Sequence, residues 1–474
     1  MSLKKSLSTR QISMIAIGGS IGTGIFLASG NTIHSAGPGG ALTAYLIMGV
    51  MVYFLMTSLS EMSSYLPTTG SFYTYAARFV DPALGFALGY NYWFNWAITV
   101  ATEISAATLI MQYWFPHAPA LLWSVLFWSF FVLTNAFTVR GFGEVEYWLS
   151  LIKVVTVVVF ILLGTALIFG FAGHSTDGYR YWTMGDAPFH GGWLAAFNAF
   201  IIAGFSFQGT ELIGIAAGES KDAAHSIPSA MRWVFWRILL FYILTIIVIS
   251  FLIPYDSNSL IDGSVNASPF TLVFSNAGIQ SVAWLMNAVI LIAILSAGNS
   301  GMYASTRMLW YLAKRGHVPA LFSKTTSRGV PLYALMATAV VGMLTFLSSL
   351  VGSGQIYMWL LNASSLTGFI AWLGIAVSHY RFRKAYIRQG RSLSELPYLA
   401  KGYPYAPLLA FALCFIVIAG QNYMAFTSGH INWEAIAVSY ISVPLFLSLW
   451  LGYKFIKKTK IVKLEDCDFE SDLS

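Results

Sequence analysis

The sequence predicts an all-α membrane protein with twelve transmembrane helices. Of its 474 residues, 57% are hydrophobic and only 9% are charged. The apolar residues fall into twelve long runs, and the Lys and Arg residues collect in alternate connections between those runs. One soluble core could not bury that much apolar surface. We therefore expect the chain to be solvated by lipid.

A helix needs about 20 residues to cross about 30 Å of hydrocarbon at about 1.5 Å per residue. Each apolar run is long enough to be one span. The predicted spans are Ile12–Thr32, Ala41–Ser60, Leu84–Tyr113, Leu121–Val139, Tyr147–Phe171, Trp193–Ala216, Trp233–Ile253, Phe270–Met302, Leu332–Val351, Ile356–Val377, Tyr405–Phe426 and Glu434–Phe455.

The basic residues predict the orientation of the spans. Of the 26 Lys and Arg residues, only Arg180 falls in a segment that alternation assigns to the outside. Because short cytoplasmic loops retain Lys and Arg, both termini are predicted to be cytoplasmic in a bacterial inner membrane. The excess positive charge then reflects topology and anionic lipid, so we expect no nucleic-acid partner.

The chain is predicted to form a single membrane transport domain, because no linker divides it. We divide the domain into a first repeat at about 11–172, a second repeat at about 193–378, a final helix pair at about 405–455 and a cytoplasmic tail at 456–474. Each repeat holds five spans, so successive repeats start on opposite sides of the membrane. The predicted architecture is a five-plus-five inverted repeat.

Two glycine-bearing interruptions fall at matching places in the repeats, at Gly18–Gly24 in helix 1 and Gly204–Glu211 in helix 6. Glycines of this kind often serve close helix packing instead. Where a helix breaks, however, its free amides attract an anion and its free carbonyls attract a cation. An amino acid zwitterion carries both charges, so the paired breaks predict a small-solute pocket.

Three charged residues lie well inside the predicted spans, and each costs about 3 kcal/mol at mid-bilayer unless it has a partner or a role. Glu211 follows the helix 6 break and is a candidate for coupling or gating; otherwise it is a structural carboxylate held by backbone amides. The Lys153 ammonium either reaches the helix 1 break or snorkels to the cytoplasmic surface. Glu103 either binds a cationic substrate or bonds internally to helix 8 or 10.

Uncharged residues complete the candidate pocket. Phe205 lies within the predicted helix 6 break, where an aromatic ring could close over a solute. Asn299 is polar in apolar surroundings, and helical hydrogen bonding is its alternative role. We assign Trp96 to the interfacial aromatic belt. No nucleotide loop, metal pattern or nucleophile elbow is present, so we expect no cofactor, no enzyme activity and transport driven by a gradient.

Several motifs resemble the amino acid permease branch of the amino acid-polyamine-organocation superfamily over nearly the whole chain. They are Met14–Gly24, Ser35–Gly40, Gly209–Glu219 and Ser378–Arg383. Closer similarity to bacterial lysine-specific permeases is found in Gly204–Ser220, Val234–Tyr242, Ser296–Met308, Trp359–Asn362 and Thr367–Gly374.

The resemblance implies the LeuT-like fold and proton symport of a cationic amino acid, most of all L-lysine. By this similarity Gly22, Thr23 and Gly24 bind the substrate carboxylate, and the backbone at Ser20 and Phe205 receives its amino group. Asn299 would meet the substrate side chain. Lys153 would stand where sodium-coupled relatives hold their ion, and Glu211 would sense protons or gate.

Several alternatives remain open at this point. Lysine permeases tend to carry aspartate where this chain has Glu103, so lysine rests on overall similarity. An amino acid exchanger, a permease for arginine, histidine or a neutral amino acid, and a transporter-like lysine sensor with a regulatory membrane partner are the other hypotheses.

Overall fold

The computed structural model describes residues 8–18, 21–137, 140–171, 177–260, 268–422, 424–427, 431 and 433–470. The regular structure in these ranges is helical. The α-helices are α1 Thr9–Gly18, α2 Ser29–Tyr65, α3 Ser71–Phe79, α4 Pro82–Trp114, α5 Ala120–Phe137, α6 Arg140–Ile168, α7 Gly178–Tyr181, α8 Gly192–Phe207, α9 Leu212–Ala216, α10 Ala223–Arg237, α11 Thr245–Leu252, α12 Pro269–Asn276, α13 Gln280–Lys314, α14 Leu332–Gly342, α15 Ser348–Val351, α16 Ser353–Arg388, α17 Tyr405–Gly420, α18 Met424–Thr427, α19 Trp433–Tyr440 and α20 Ser442–Lys457.

Eight helical segments within the described ranges are long and apolar enough to cross a membrane. Two shorter apolar helices, Ala120–Ala136 and Tyr405–Gly420, accompany them. The eight are Gly24–Tyr65, Pro82–Trp114, Glu146–Ile168, Ala195–Ala216, Ala223–Leu252, Gln280–Lys314, Leu332–Val351 and Ser353–Arg388. Each overlaps a predicted span.

The chain leaves the helical path where the first interruption was predicted. Helix α1 ends at Gly18, and the helix resumes as a π-helical turn at Gly24–Ala28 that runs into α2. Within α2 the backbone turns again at Gly37, whose φ is 73°, just before Pro38. Because a residue preceding proline disfavours the α conformation, this turn separates the first predicted span from the second.

The second interruption is shorter than the sequence predicted. Helix α8 continues through Phe207, and α9 starts at Leu212. Only residues 208–211 leave the helix, and Gly209 has a φ of 91°, in the left-handed region that favours glycine. Phe205 therefore lies in the last turn of α8, not in the break, which corrects our expectation.

The eighth predicted span also needs correction. Its first residues form the separate helix α12, because Gly278 turns the backbone with a φ of 76°. The long helix α13 starts at Gln280 and ends at Lys314, twelve residues beyond the predicted end at Met302.

Helix α4 lies at the centre of the molecule and packs against α13 and α16, while α2 packs against α8. Small residues allow these helices to approach one another closely. This is expected in a membrane, because in lipid the hydrophobic effect does not drive helices to associate. A Cβ on Gly374 of α16 would lie 2.4 Å from the Leu88 side chain of α4. The central position of α4 brings one of its faces to both interruptions.

Candidate substrate-binding site

A small cavity lies between the two interruptions. The first interruption, α4, the α8–α9 region and α13 all contribute to its wall. The lining residues are Gly22, Gly24, Trp96, Thr99, Glu103, Phe205, Gln208 and Ala297.

Glycine is required where the two interruptions meet. A Cβ on Gly24 would lie 2.4 Å from the Cα of Ser206, a distance that real structures do not show. A Cβ on Gly22 would lie 2.8 Å from the Glu103 carboxylate and 2.9 Å from the Ala297 Cβ. The glycines of helix 1 therefore allow its backbone to reach α8 and allow a ligand to approach that backbone.

Glu103 places a buried carboxylate on the cavity wall. The Thr23 hydroxyl donates to its Oε1 at 3.2 Å. Among the described residues, no hydrogen-bond donor reaches Oε2. The internal partner is thus on the first interruption, not on helix 8 or 10 as the internal alternative held. The free oxygen can accept a hydrogen bond from a cationic ligand.

Two uncharged polar residues, Gln208 and Thr99, also line the cavity. The Gln208 amide donates to the carbonyls of Ser364 and Ser365 at 3.0 and 3.1 Å. Thr99 and Ser364 pair through their hydroxyls at 2.6 Å. These bonds connect the second interruption to α4 and α16 and hold the cavity wall in one arrangement.

The Glu211 carboxylate faces the protein side of the second interruption and does not line the cavity. The Gly209 N–H donates to both carboxylate oxygens at 3.1 and 3.2 Å. Trp372 Nε1 donates to Oε2 at 3.2 Å, and the Tyr92 hydroxyl donates to Oε1 at 3.4 Å. Glu211 therefore ties the unwound backbone to α4 and α16, consistent with its structural alternative and with gating.

Lys153 is fully buried on α6, at 0% exposure. Helix α6 begins at Arg140, so Lys153 lies about 20 Å along it at about 1.5 Å per residue. Its Nζ lies 3.5 Å from Glu146 Oε1 and also interacts electrostatically with Glu103. The snorkelling alternative is therefore wrong: the ammonium turns inward and finds a carboxylate.

Asn299 faces α5 rather than the cavity. Its Oδ1 accepts hydrogen bonds from Thr134 at 2.9 Å and Asn135 at 2.8 Å. The geometry thus favours the helical hydrogen bonding that was the alternative role. Phe205 lines the cavity, and its carbonyl accepts the Gln208 N–H at 3.1 Å. Ser20 lies outside the described residues.

Sequence reasoning missed several residues of the site. Trp96 lines the cavity at 3% exposure instead of lying at the membrane interface. Its spacing from Thr99 and Glu103 places all three on one face of a helix, and that signal was available. Glu146 was missed because its predicted span began one residue later. Arg237, which lies near the start of the predicted span Trp233–Ile253, is fully buried and interacts electrostatically with Glu211.

Comparison with known proteins gives the family. Residues 11–466 match the amino acid permease family model. This chain belongs to the amino acid permease family. Members of the family are transporters, not enzymes, so the protein is an integral multi-pass amino acid transporter.

The relatives of this permease include proteins named for different basic amino acids. It is 55% identical to the lysine-specific permease of Escherichia coli (strain K12), over 98% of this chain and 96% of that protein. It is 50% identical to the lysine-specific permease of Lactococcus lactis subsp. cremoris, over 98% and 92%. It is 48% identical to the histidine permease of the same organism, over 99% and 98%.

Proposed function

We propose that this permease takes up L-lysine and that Glu103 binds the side-chain ammonium of the substrate. The observation that carries the proposal is the carboxylate of Glu103, a cavity-lining residue whose Oε2 has no hydrogen-bond partner among the described residues. A buried charge without compensation is costly in a membrane. A cationic substrate supplies that compensation when it binds.

The substrate backbone binds at the two interruptions in this proposal. The amides of Gly22, Thr23 and Gly24 start a helix and carry its positive dipole end, which suits a carboxylate. The backbone at Phe205, in the last turn of α8, receives the amino group, and Ser20 shares this role on the strength of the family resemblance alone. Asn299 acts on the substrate side chain only indirectly, through the helix α13 that it anchors to α5.

Histidine is the second candidate substrate, since a histidine permease is among the relatives at 48% identity. The imidazolium would use the same carboxylate of Glu103. Lysine is favoured because the two relatives of higher identity given above are both named lysine-specific.

Coupling to protons is proposed from the position of Lys153. The buried ammonium of Lys153 interacts electrostatically with Glu103, the carboxylate to which Thr23 of the first interruption donates. In this proposal it occupies the place of a bound cation, so a sodium ion is not needed there. The protonation state of this region would then change with the occupancy of the pocket. Glu211, which holds the second interruption, would gate the change between states.

The proposed architecture is a single domain of twelve transmembrane helices with a five-plus-five inverted repeat and both termini in the cytoplasm of a bacterial cell. The helices that carry the interruptions, together with the second and seventh spans, rock against the rest to open the cavity to either side. Accessibility of a tag at each terminus in intact cells and in lysed cells tests the orientation.

Uptake by proteoliposomes tests the function. Labelled lysine should accumulate when an inward proton gradient is imposed in sodium-free buffer. Unlabelled lysine should compete most strongly with this uptake, histidine less strongly, and neutral amino acids least. Accumulation that ignores the proton gradient but requires internal amino acid would identify an exchanger. Lysine binding without either form of transport would identify a sensor. Stronger competition by histidine would reassign the substrate.

A further inference from the structure

Another buried carboxylate, Glu146, does not line the cavity and has no role in the function proposed above. It is on α6 at 1% exposure. The Ser296 hydroxyl of α13 reaches both of its oxygens, at 3.0 and 2.9 Å. The Ser150 hydroxyl, on the same helix as Glu146, donates at 3.2 Å. Together with Lys153 these residues form a cluster that we call the Glu146 cluster.

The cluster joins two helices around one pair of charges. Lys153 donates from Nζ to Glu146 Oε1 at 3.5 Å, which is longer than a strong charge-assisted bond of about 2.7–2.9 Å. The Glu146 carboxylate therefore gives the buried ammonium part of its charge compensation. Ser296, which lies one residue before the cavity-lining Ala297, fixes the carboxylate to the helix on the other side.

We infer that Glu146 is a positioning residue of the transport cycle: it holds the Lys153 ammonium, joins α6 to α13 behind the cavity, and determines the pH range in which Lys153 keeps its charge. The inference rests on the proposed coupling role of Lys153. Removal of the Glu146 charge leaves a buried ammonium with less compensation, so Lys153 gives up its proton more readily.

Among the described residues, the following charged and titratable groups lie on the helices that pack around the cluster. Glu103 on α4 faces Lys153 electrostatically from the cavity side. From α1, the Arg10 guanidinium lies over the ring of Tyr147, at 4.1 Å from its centroid. Helix α13 contributes the hydroxyl of Ser296. On the π-helical segment before α11, the Tyr242 ring packs on Tyr45 and Phe207 instead. Glu146 thus supplies a carboxylate within hydrogen-bond distance of Lys153.

The test uses the purified full-length permease in detergent, without a gradient. Lysine binding is measured from pH 5 to pH 9 for the wild type, Glu146→Gln, Glu146→Asp, Lys153→Met and the double variant Glu146→Gln/Lys153→Met. We expect Glu146→Gln to move the midpoint of the binding profile to lower pH by about 1–3 pH units, the usual effect of one nearby opposite charge. Glu146→Asp should restore most of the wild-type profile.

A second readout needs no substrate. The thermal unfolding midpoint of each variant is followed over the same pH range. The decrease in unfolding midpoint that Glu146→Gln causes relative to the wild type should change with pH, because part of that decrease depends on the charge of Lys153. In the Lys153→Met background the pH dependence of that deficit should disappear. A purely structural contact would instead give one constant deficit.

Two serine variants serve as matched comparisons if Glu146→Gln does not fold. Ser296→Ala removes the contact between helices and should shift the profile in the same direction, and Ser150→Ala, within one helix, should shift it less. Superimposed profiles for Glu146→Gln and the wild type, or an equal shift in the Lys153→Met background, would overturn the inference. If lysine does not bind the wild type, the substrate proposal fails alone, and the unfolding profiles still decide the role of Glu146.

Discussion

At the scale of single residues, the cavity is formed by three side chains of α4 and by two glycines, which have no side chain to fill it. Trp96, Thr99 and Glu103 share one helix face, so α4 offers an aromatic ring, a hydroxyl and a carboxylate to the same space. The missing side chains of Gly22 and Gly24 let the first interruption meet that face and α8.

Replacement of Glu103 by Gln should weaken lysine binding by about 30-fold or more. The reason is that loss of a buried charge partner costs about 2–5 kcal/mol, and about 1.4 kcal/mol is tenfold. Competition by a panel of cationic and neutral amino acids against one labelled substrate measures the effect. Glu103→Asp is the control that keeps the charge. Equal losses for lysine and a neutral analogue would assign Glu103 a structural role.

Gly24→Ala should destabilise the protein by about 1–3 kcal/mol, the usual cost of overpacking, and should abolish uptake. The new Cβ would lie 2.4 Å from the Ser206 Cα, and backbone cannot move aside as a flexible side chain can. The matched control is Gly452→Ala on α20, where nothing lies within 4 Å of the added methyl. Thermal unfolding and uptake are measured for both; the same behaviour in both variants would refute the close approach.

At the scale of elements, buried ion pairs decide how the helices hold together at one end of the molecule. Glu61 on α2 accepts two hydrogen bonds from Arg383 of α16, the first at 2.6 Å. The N–H of Ala400 donates to the same carboxylate at 2.6 Å, and His379 Nε2 lies 3.2 Å from it. This contact joins α2, which rocks in the proposed cycle, to α16, which does not.

Glu61→Gln should lower the free energy of unfolding by about 3–5 kcal/mol, because it leaves the buried Arg383 charge without its carboxylate. The matched control is Glu465→Gln, which breaks the exposed pair between Glu465 and Arg388 and should cost less than about 1 kcal/mol. Chemical or thermal unfolding of the purified variants measures both. Similar small losses would show that the buried contact does not hold α2 to α16.

The connection between α6 and α8 has its own anchor at Asp186. Its carboxylate accepts hydrogen bonds from the Tyr255 hydroxyl at 2.7 Å and the Gly191 N–H at 3.1 Å, and His190 Nδ1 lies 2.7 Å away. These partners, the Tyr255 hydroxyl first, lower the pKa of Asp186 below its ordinary value. The anchor is therefore strongest when the carboxylate is ionised.

A carboxyl group whose pKa is lower in the folded state stabilises that state at pH values above its unfolded pKa of about 3.9. This stabilisation is lost as the pH falls toward the lower pKa of the folded state. Asp186→Asn should thus make the connection more sensitive to protease at pH 7, and its difference from the wild type should shrink below about pH 4. Asp177→Asn, at an exposed residue of the same connection that makes no capping bond, is the control. A difference that does not vary with pH would contradict this account.

At the scale of the whole molecule, the C-terminal residues 459–470 form a strap across the ends of several helices. The Val462 N–H donates to the carbonyl of Val80 at 2.9 Å, and Gln389, the residue that follows α16, donates to the carbonyl of Cys467 at 2.9 Å. The Phe469 ring packs on Phe79 and Tyr386, each with ring centroids 5.2 Å apart. The strap therefore touches α3 and α16 at once.

Phe469→Ala should destabilise the protein by about 3 kcal/mol, as expected for the truncation of a buried aromatic side chain. It should also expose the strap to protease. Phe455→Ala on α20 is the matched control, since that ring is 79% exposed. Unfolding and limited proteolysis of the two variants measure the effect. An unchanged rate of strap cleavage in Phe469→Ala would mean that the ring does not hold the strap in place.

The sequence alone determined the class of the protein, because the features that decide it are local. Apolar runs, the alternation of Lys and Arg, and the glycine clusters are all visible along the chain, and each has a direct physical meaning in a bilayer. The two interruptions and the carboxylate at Glu103 were found in this way. The division of the eighth predicted span into α12 and α13 also follows from a local feature, the turn at Gly278.

Only the tertiary structure decided which polar groups meet. From its sequence position, the side chain of Lys153 could have been long enough to reach the cytoplasmic surface. In the structure Lys153 starts far along α6 and contacts the Glu146 carboxylate, so it stays buried. Asn299 turns to α5, and Glu211 is held by Gly209 and Trp372, although both are close in sequence to cavity-lining residues. A helix face points to one neighbour or another according to packing across the bundle, and no pattern within a single helix carries that information.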